Sequence, residues 1–160
     1  MNRRNLIRVY ADTSVFGGVY DKEFDTPSAA FFDEVRESKR TLVVSDIVRR
    51  EIMTAPEEVR TLFDEMLAYA QIAPVTAESL QLRQAYVRAG VVTPKWLDDA
   101  LHVALATVSD CDVIVSWNFK HIVHYQKIPL YNAVNALEGY GSILIHSPQE
   151  VIGYENEEDL

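Results

Sequence analysis

Short apolar strands alternate with amphipathic helices along this chain, and that order restricts the folds open to it. Leu6 to Ala11 reads as a strand rich in β-branched and aromatic residues. Thr26 caps a helix begun by Pro27 and running to Ser38. Thr41-Leu42-Val43-Val44 is a second strand, and Ser45 caps a helix that reaches Met53. Pro56 opens a helix to about Ala70, Gln71 to Val75 is a short strand, and Thr76 caps a helix closed by Gly90. Thr93 as cap and Pro94 as first residue start the helix that carries Trp96 to Thr107. The run Asp112 to Ser116 looks like a buried strand, Leu130 to Leu137 a helix and Ser142 to His146 a last strand. Strand–helix alternation predicts a parallel sheet with helices on both faces. No linker interrupts it, so the chain is read as one domain over residues 1–153, with a helical arm about 56–90 and an acidic, frayed tail at 154–160.

Composition narrows the function classes. With 160 residues, 48% of them hydrophobic, the chain is long enough for a real core. Cys111 is the single cysteine, which excludes an internal disulfide and fits a reducing, cytoplasmic setting. The net charge of −9 argues against broad non-specific nucleic-acid binding, while suiting a basic protein partner. No apolar run is long enough to span a membrane. Met1 to Asn5 is basic, but the charges of Arg8 and Asp12 break the adjoining apolar stretch, so no signal peptide is expected. Phosphate-loop and dinucleotide glycine patterns are missing.

The residues with chemistry sit at element ends and helix edges. Asp12 follows the first strand, where open α/β sheets place ligands; an ordinary turn or cap is the competing reading. Glu51 shares the inner stripe of its helix with Ile47 and Val48, so it needs either a site or an Arg partner such as Arg49, Arg50 or Arg60. Asp98 and Asp99 flank the apolar arc of Leu97, Ala100, Leu101, Ala104, Leu105 and Val108, with His102 between them. Counted from Thr93, both lie beyond the first turn, where the helix dipole no longer rewards an acid. Asn118 follows the Asp112–Ser116 strand as Asp12 follows the first. Gathered carboxylates repel one another, and a hard divalent cation such as Mg²⁺ compensates while keeping sites for phosphate and water. Arg49, Arg50, Lys120 and Lys127 lie near these acids in sequence and can hold a nucleic-acid backbone. His121 and His124 lack a third zinc-type ligand. A phosphatase using Asp12 as nucleophile would need an acid at the position of Ser14, and a receiver domain would need acids before Asp12.

The motifs Tyr10-Ala11-Asp12-Thr13-Ser14-Val15-Phe16, Ser45-Asp46-Ile47-Val48-Arg49-Arg50-Glu51-Ile52, Asp99-Ala100-Leu101-His102-Val103-Ala104-Leu105-Ala106 and Val115-Ser116-Trp117-Asn118-Phe119 come in a telling order. Together they resemble PIN-domain ribonucleases of the kind forming the toxin half of bacterial VapBC-type toxin–antitoxin pairs, from Val9 to about Ile145. The resemblance implies a three-layer α/β/α sandwich with a mostly parallel sheet. It implies Asp12, Glu51 and Asp99 as catalytic acids and ligands of Mg²⁺ or Mn²⁺, RNA as substrate, a protein antitoxin and a homodimer. Thr13 or Ser14 then orients Asp12 or contacts phosphate. The chain departs from the family at Asn118, an amide where an acid is common; Asp98 is the candidate to restore that charge. The rival reading is a catalytically weak PIN-like domain that binds RNA or protein as a scaffold.

Overall fold

The computed structural model describes residues 6–153. The acidic tail expected at 154–160 lies outside the described residues. Strands β1 (Arg8–Ala11), β2 (Thr41–Ser45), β3 (Ala70–Ala73), β4 (Val113–Val115) and β5 (Leu144–His146) form one sheet in the order β3-β2-β1-β4-β5. Every pairing is parallel. The central strands are apolar along their buried stretches because both faces are covered: Val9, Tyr10, Ala11, Leu42, Ile114 and Val115 are fully buried.

The helices are α1 (Thr13–Gly18), α2 (Asp25–Arg36), α3 (Asp46–Ile52), α4 (Glu57–Met66), α5 (Ala77–Arg88), α6 (Leu97–Val108), α7 (Lys127–Leu137) and α8 (Pro148–Val151). α1 packs on α2, α3 and α4, and α2 on α8, whereas α5 packs on α6 and α7. From β1 the chain steps outward through β2 to β3 on one side, and from β4 to β5 on the other. Right-handed crossovers then place the two helix groups on opposite faces, giving three layers. The segment read as a helical arm supplies α4, the edge strand β3 and α5.

Several boundaries differ from the sequence reading, each for a local reason. α2 starts at Asp25, with Phe24 as N-cap, because the Asp25 carboxylate takes the Thr26 N–H that a Thr26 cap would have left outside. α7 starts at Lys127 because Pro129 sits in its first turn, where no intrahelical N–H is required. α1 and α8 were not anticipated. α1 is only six residues long and ends on Gly17-Gly18. α8 does carry a sequence signal, the capping box of Ser147 and Glu150 around Pro148.

The largest correction concerns α6. Pro94 opens a separate 3₁₀ turn, Pro94–Trp96, and α6 itself begins at Leu97 with Trp96 as N-cap. Asp98 and Asp99 therefore lie in the first turn of α6, not beyond it, and complement its dipole. From Ala100 to Thr107 the helix is buried all round, so the apolar arc widens to include His102 and Val103.

Candidate functional site

Ala11 pairs with Val115, so Asp12 and Ser116 leave neighbouring strands side by side. This is the point where the chain runs outward in opposite directions, the place where parallel sheets open a crevice. Asp12 is 4% exposed. Its Oδ1 accepts the Ser14 N–H at 3.1 Å and the Ser14 hydroxyl at 2.5 Å; its Oδ2 accepts the Ser116 hydroxyl at 2.5 Å. Asp12 is thus the N-cap of α1 and a buried acid at once. Burial pushes its carboxyl above the ordinary value, and Glu51 adds to that; His102 and the two serine hydroxyls pull the other way.

Glu51 reaches the same region from α3, whose start is fixed by Ser45 accepting the Val48 N–H at 3.3 Å. Its partner is not an arginine. Glu51 Oε1 takes His102 Nε2 at 2.6 Å. Burial works against its ionisation, but the His102 hydrogen bond and charge outweigh it, with Thr13 and Arg50 adding, and hold Glu51 below its usual value. Arg50 instead pairs with Asp98 at 3.1 Å on the exposed surface. Arg49 and Arg60 line a groove with Met53, Phe63 and Leu67.

His102 is the residue on which this site converges. It is 2% exposed. Nδ1 lies 2.8 Å from the Tyr10 hydroxyl, which lies 2.7 Å from Ser45 Oγ. The buried chain is satisfied in either charge state. With neutral His102, Ser45 donates to Tyr10 and Tyr10 to Nδ1; with the imidazolium, Nδ1–H donates to Tyr10 and Tyr10 to Ser45; Nε2–H donates to Glu51 in both. Burial lowers the imidazole pKa, yet the Glu51 hydrogen bond and the charges of Asp12, Glu51 and Asp99 raise it overall. Three carboxylates therefore act on one ring, although among the described residues no group of three His, Cys, Asp or Glu side chains is arranged to hold a metal ion.

Asp99 is half-buried and acts on His102, His121 and Tyr131, whereas Asp98 turns to Arg50 in solvent. The structure thus separates the adjacent acids. Asn118 Oδ1 accepts the N–H groups of Lys120 at 3.2 Å and His121 at 2.9 Å, and its own N–H donates to Ser116 Oγ at 2.9 Å. Its amide shapes the turn after β4. Lys127 donates to the Val91 carbonyl at 2.6 Å. His121 is stacked on Trp96, away from a pairing with His124, whose Nδ1 accepts the Gln126 N–H. Cys111 is buried, its thiol pushed up to about 12 by desolvation, and is chemically quiet.

Mg²⁺ needs only one or two carboxylates, since waters and phosphate oxygens complete its shell. In donor chemistry, though not as a preassembled cluster of three among the described residues, the acids suit that demand. Asp12, Glu51 and Asp99 carry hard oxygens of the kind Mg²⁺ takes, and Thr13 lies beside Glu51. Sequence reasoning placed His102 between acids without giving it work, and it missed Tyr10, Ser45 and Ser116. A usable signal existed: a histidine one turn after Asp99, inside an otherwise Ala, Leu and Val helix, needs polar partners.

The sheet order and the flanking helix layers make a three-layer α/β/α sandwich of PIN-like fold. Among solved structures, the chain is similar to one from "VapBC2 from Rickettsia felis bound to a DNA fragment from their promoter". The TM-score is 0.57 at 17% identity, over 88% of this chain and 98% of that one. At that identity the likeness is one of fold. No family model matches the sequence, nor does any curated protein. No helix among the described residues is long and apolar enough to cross a membrane.

Proposed function

We propose that this protein is a divalent-metal-dependent endoribonuclease of the cytoplasm, the toxin of a type II toxin–antitoxin pair. The observation that carries the reading is buried His102 near the switch point of the sheet, hydrogen-bonded to Glu51 and under the charges of Asp12 and Asp99. Asp12 and one of the other two carboxylates would hold Mg²⁺ or Mn²⁺. When bound, such an ion lowers the pKa of a ligand water and stabilises the leaving oxygen of a phosphodiester. The chain's own part is positioning. Ser14 and Ser116 fix both Asp12 oxygens, so the carboxylate cannot rotate. His102 keeps Glu51 ionised and aimed, with Oε2 left to accept from water or face a cation. The net charge of −9 suits a basic antitoxin, in keeping with a structural neighbour that is itself a VapBC complex. A homodimer belongs to the same reading.

The scaffold reading draws on one observation: the Asn118 amide oxygen is already engaged by two backbone N–H groups. Cleavage of labelled RNA with Mg²⁺ or Mn²⁺, against EDTA and against Asp12→Asn, separates the two. Saturable cleavage that requires the metal and Asp12 supports the nuclease. RNA retention without cleavage at any metal concentration supports the scaffold.

A further inference from the structure

Beside the acids lies a group of side chains that the reaction does not use. Trp96 caps α6, three residues before Asp99. The His121 ring stacks on its indole with centroids 4.1 Å apart. Lys95 and Lys120 bring their ammonium groups to 5.1 and 5.2 Å from the same indole centroid. Lys120 and His121 are held there by the Asn118 turn, which takes both of their backbone N–H groups.

Three features point to a ligand. First, in a chain of net charge −9, neither Lys95 nor Lys120 makes an ion pair with a carboxylate among the described residues; both rest on an aromatic face instead. Second, His121 is 8% exposed, and neither ring nitrogen has a hydrogen-bond partner. Third, the group adjoins the candidate reaction centre, because His121 stacks on the residue that caps α6, in whose first turn Asp99 lies. Trp96 is half-buried, packed against the core with its indole reaching the surface lysines. An ammonium over such an indole is weakly held, and a charge-assisted hydrogen bond to phosphate is stronger. A nucleotide chain therefore offers both lysines better partners. As they leave, the indole becomes free to stack a base.

We infer that Trp96, Lys95, Lys120 and His121 form a subsite for single-stranded RNA next to the acids, in which the indole stacks one base and the lysines hold adjoining phosphates. It rests on the nuclease reading and adds the substrate's strandedness and its point of contact. Asp99 at one side of the subsite and Trp96 at the other set where the strand crosses the acids.

The test is binding of a fluorescein-labelled oligouridylate to the full chain in EDTA, so that nothing is cleaved, at several salt concentrations. Each lost phosphate contact lowers the slope of log affinity against log salt by about 0.7 for single strands, so Lys95→Ala/Lys120→Ala should lose about 1.4. Trp96→Leu should weaken binding roughly five- to hundredfold with the salt slope kept, while Trp96→Phe, which still offers a ring, should retain most affinity. Thermal melts confirm that each variant is folded, and surface lysine replacement keeps the test alive should Trp96→Leu misfold. If wild type binds and the lysine variant keeps its slope and affinity, the subsite is overturned alone. If wild type binds no oligouridylate, the subsite falls together with the RNA reading beneath it.

Discussion

Asp12 is a buried acid that the proposed reaction needs and that burial makes costly to ionise. Its pKa is raised by burial, so the folded state binds a proton more readily than the unfolded chain. Its carboxylate therefore costs stability at neutral pH, and that cost eases as pH falls through the raised folded value. Asp12→Asn should raise the melting temperature of the metal-free protein by about 2–4 °C, for about 1 kcal/mol in a chain of this size, while cleavage falls at least about a hundredfold. A lower melting temperature would mean that the Ser14 and Ser116 hydrogen bonds outweigh the repulsion. The His102–Glu51 pair has the opposite sign. His102 is raised, so its stabilisation is complete below about pH 6.5 and disappears as pH rises through the folded value. Glu51 is lowered, so its share is present above about pH 4.5 and disappears as pH falls through its folded value. Wild type should melt highest between those limits, and His102→Gln should flatten the profile above pH 6.5; an unchanged profile would remove the pair from the account. The neighbouring aspartates make a third case. Asp98 faces Arg50 and Asp99 faces the site, so Asp99→Asn should lose at least about tenfold more activity than Asp98→Asn in the RNA assay. The reverse ranking would put the wrong face of α6 at the site.

Among the elements, the short helix α1 has the tightest packing constraint. A Cβ at Gly18 would stand 2.5 Å from Ser28 Oγ and 2.7 Å from Trp117 Nε1. Those two atoms are themselves hydrogen-bonded at 2.9 Å, and Trp117 stacks on Phe24 at 4.2 Å. Gly18→Ala must therefore break the link between the turn after β4 and α2. A loss of about 1–3 kcal/mol is expected in denaturant melts, with reduced activity because Ser116 and Asn118 flank Trp117. A change below about 0.5 kcal/mol would show that the turn repacks freely. α1 also marks the limit of reading from sequence. The strands were readable because parallel, doubly covered strands need unbroken apolar runs, as Leu42-Val43-Val44 and Val113-Ile114-Val115 show. A six-residue helix ending in Gly-Gly has no such pattern, and Asp12 looked like a turn because capping it is half of its role. The start of α6 was misplaced since Thr93-Pro94 marks a 3₁₀ turn as well as it marks an α-helix. Asp12, Glu51 and Asp99 were readable as strand-end and helix-face acids. The Glu51–His102 hydrogen bond, and the charges of Asp12 and Asp99 acting on the same ring, were not, because they depend on α3 and α6 coming together from 51 residues apart in sequence.

For the whole molecule, one topological fact governs function. β1 and β4 are neighbours whose chains depart in opposite directions, so Asp12 and the Ser116–Asn118 turn share one crevice, and α3 and α6 close it with Glu51, Asp99 and His102. Asn118 brings an amide, not a carboxylate, to the turn beside that crevice, which on the proposed reading should make metal binding weak and dependent on substrate phosphate. Asn118→Asp retains an acceptor for the Lys120 and His121 N–H groups and adds an anion. Calorimetric Mn²⁺ titration should show affinity rising roughly tenfold, or about 1.4 kcal/mol; an unchanged affinity would confine Asn118 to the turn. The central claim, that the crevice cleaves RNA with a divalent ion, is most directly tested by following an end-labelled RNA across a Mn²⁺ titration with wild type and Asp12→Asn purified side by side. The account predicts internal cleavage that rises to saturation with Mn²⁺, stops in EDTA and is missing from Asp12→Asn. Cleavage that persists in EDTA, or that Asp12→Asn performs as well as wild type, would contradict it.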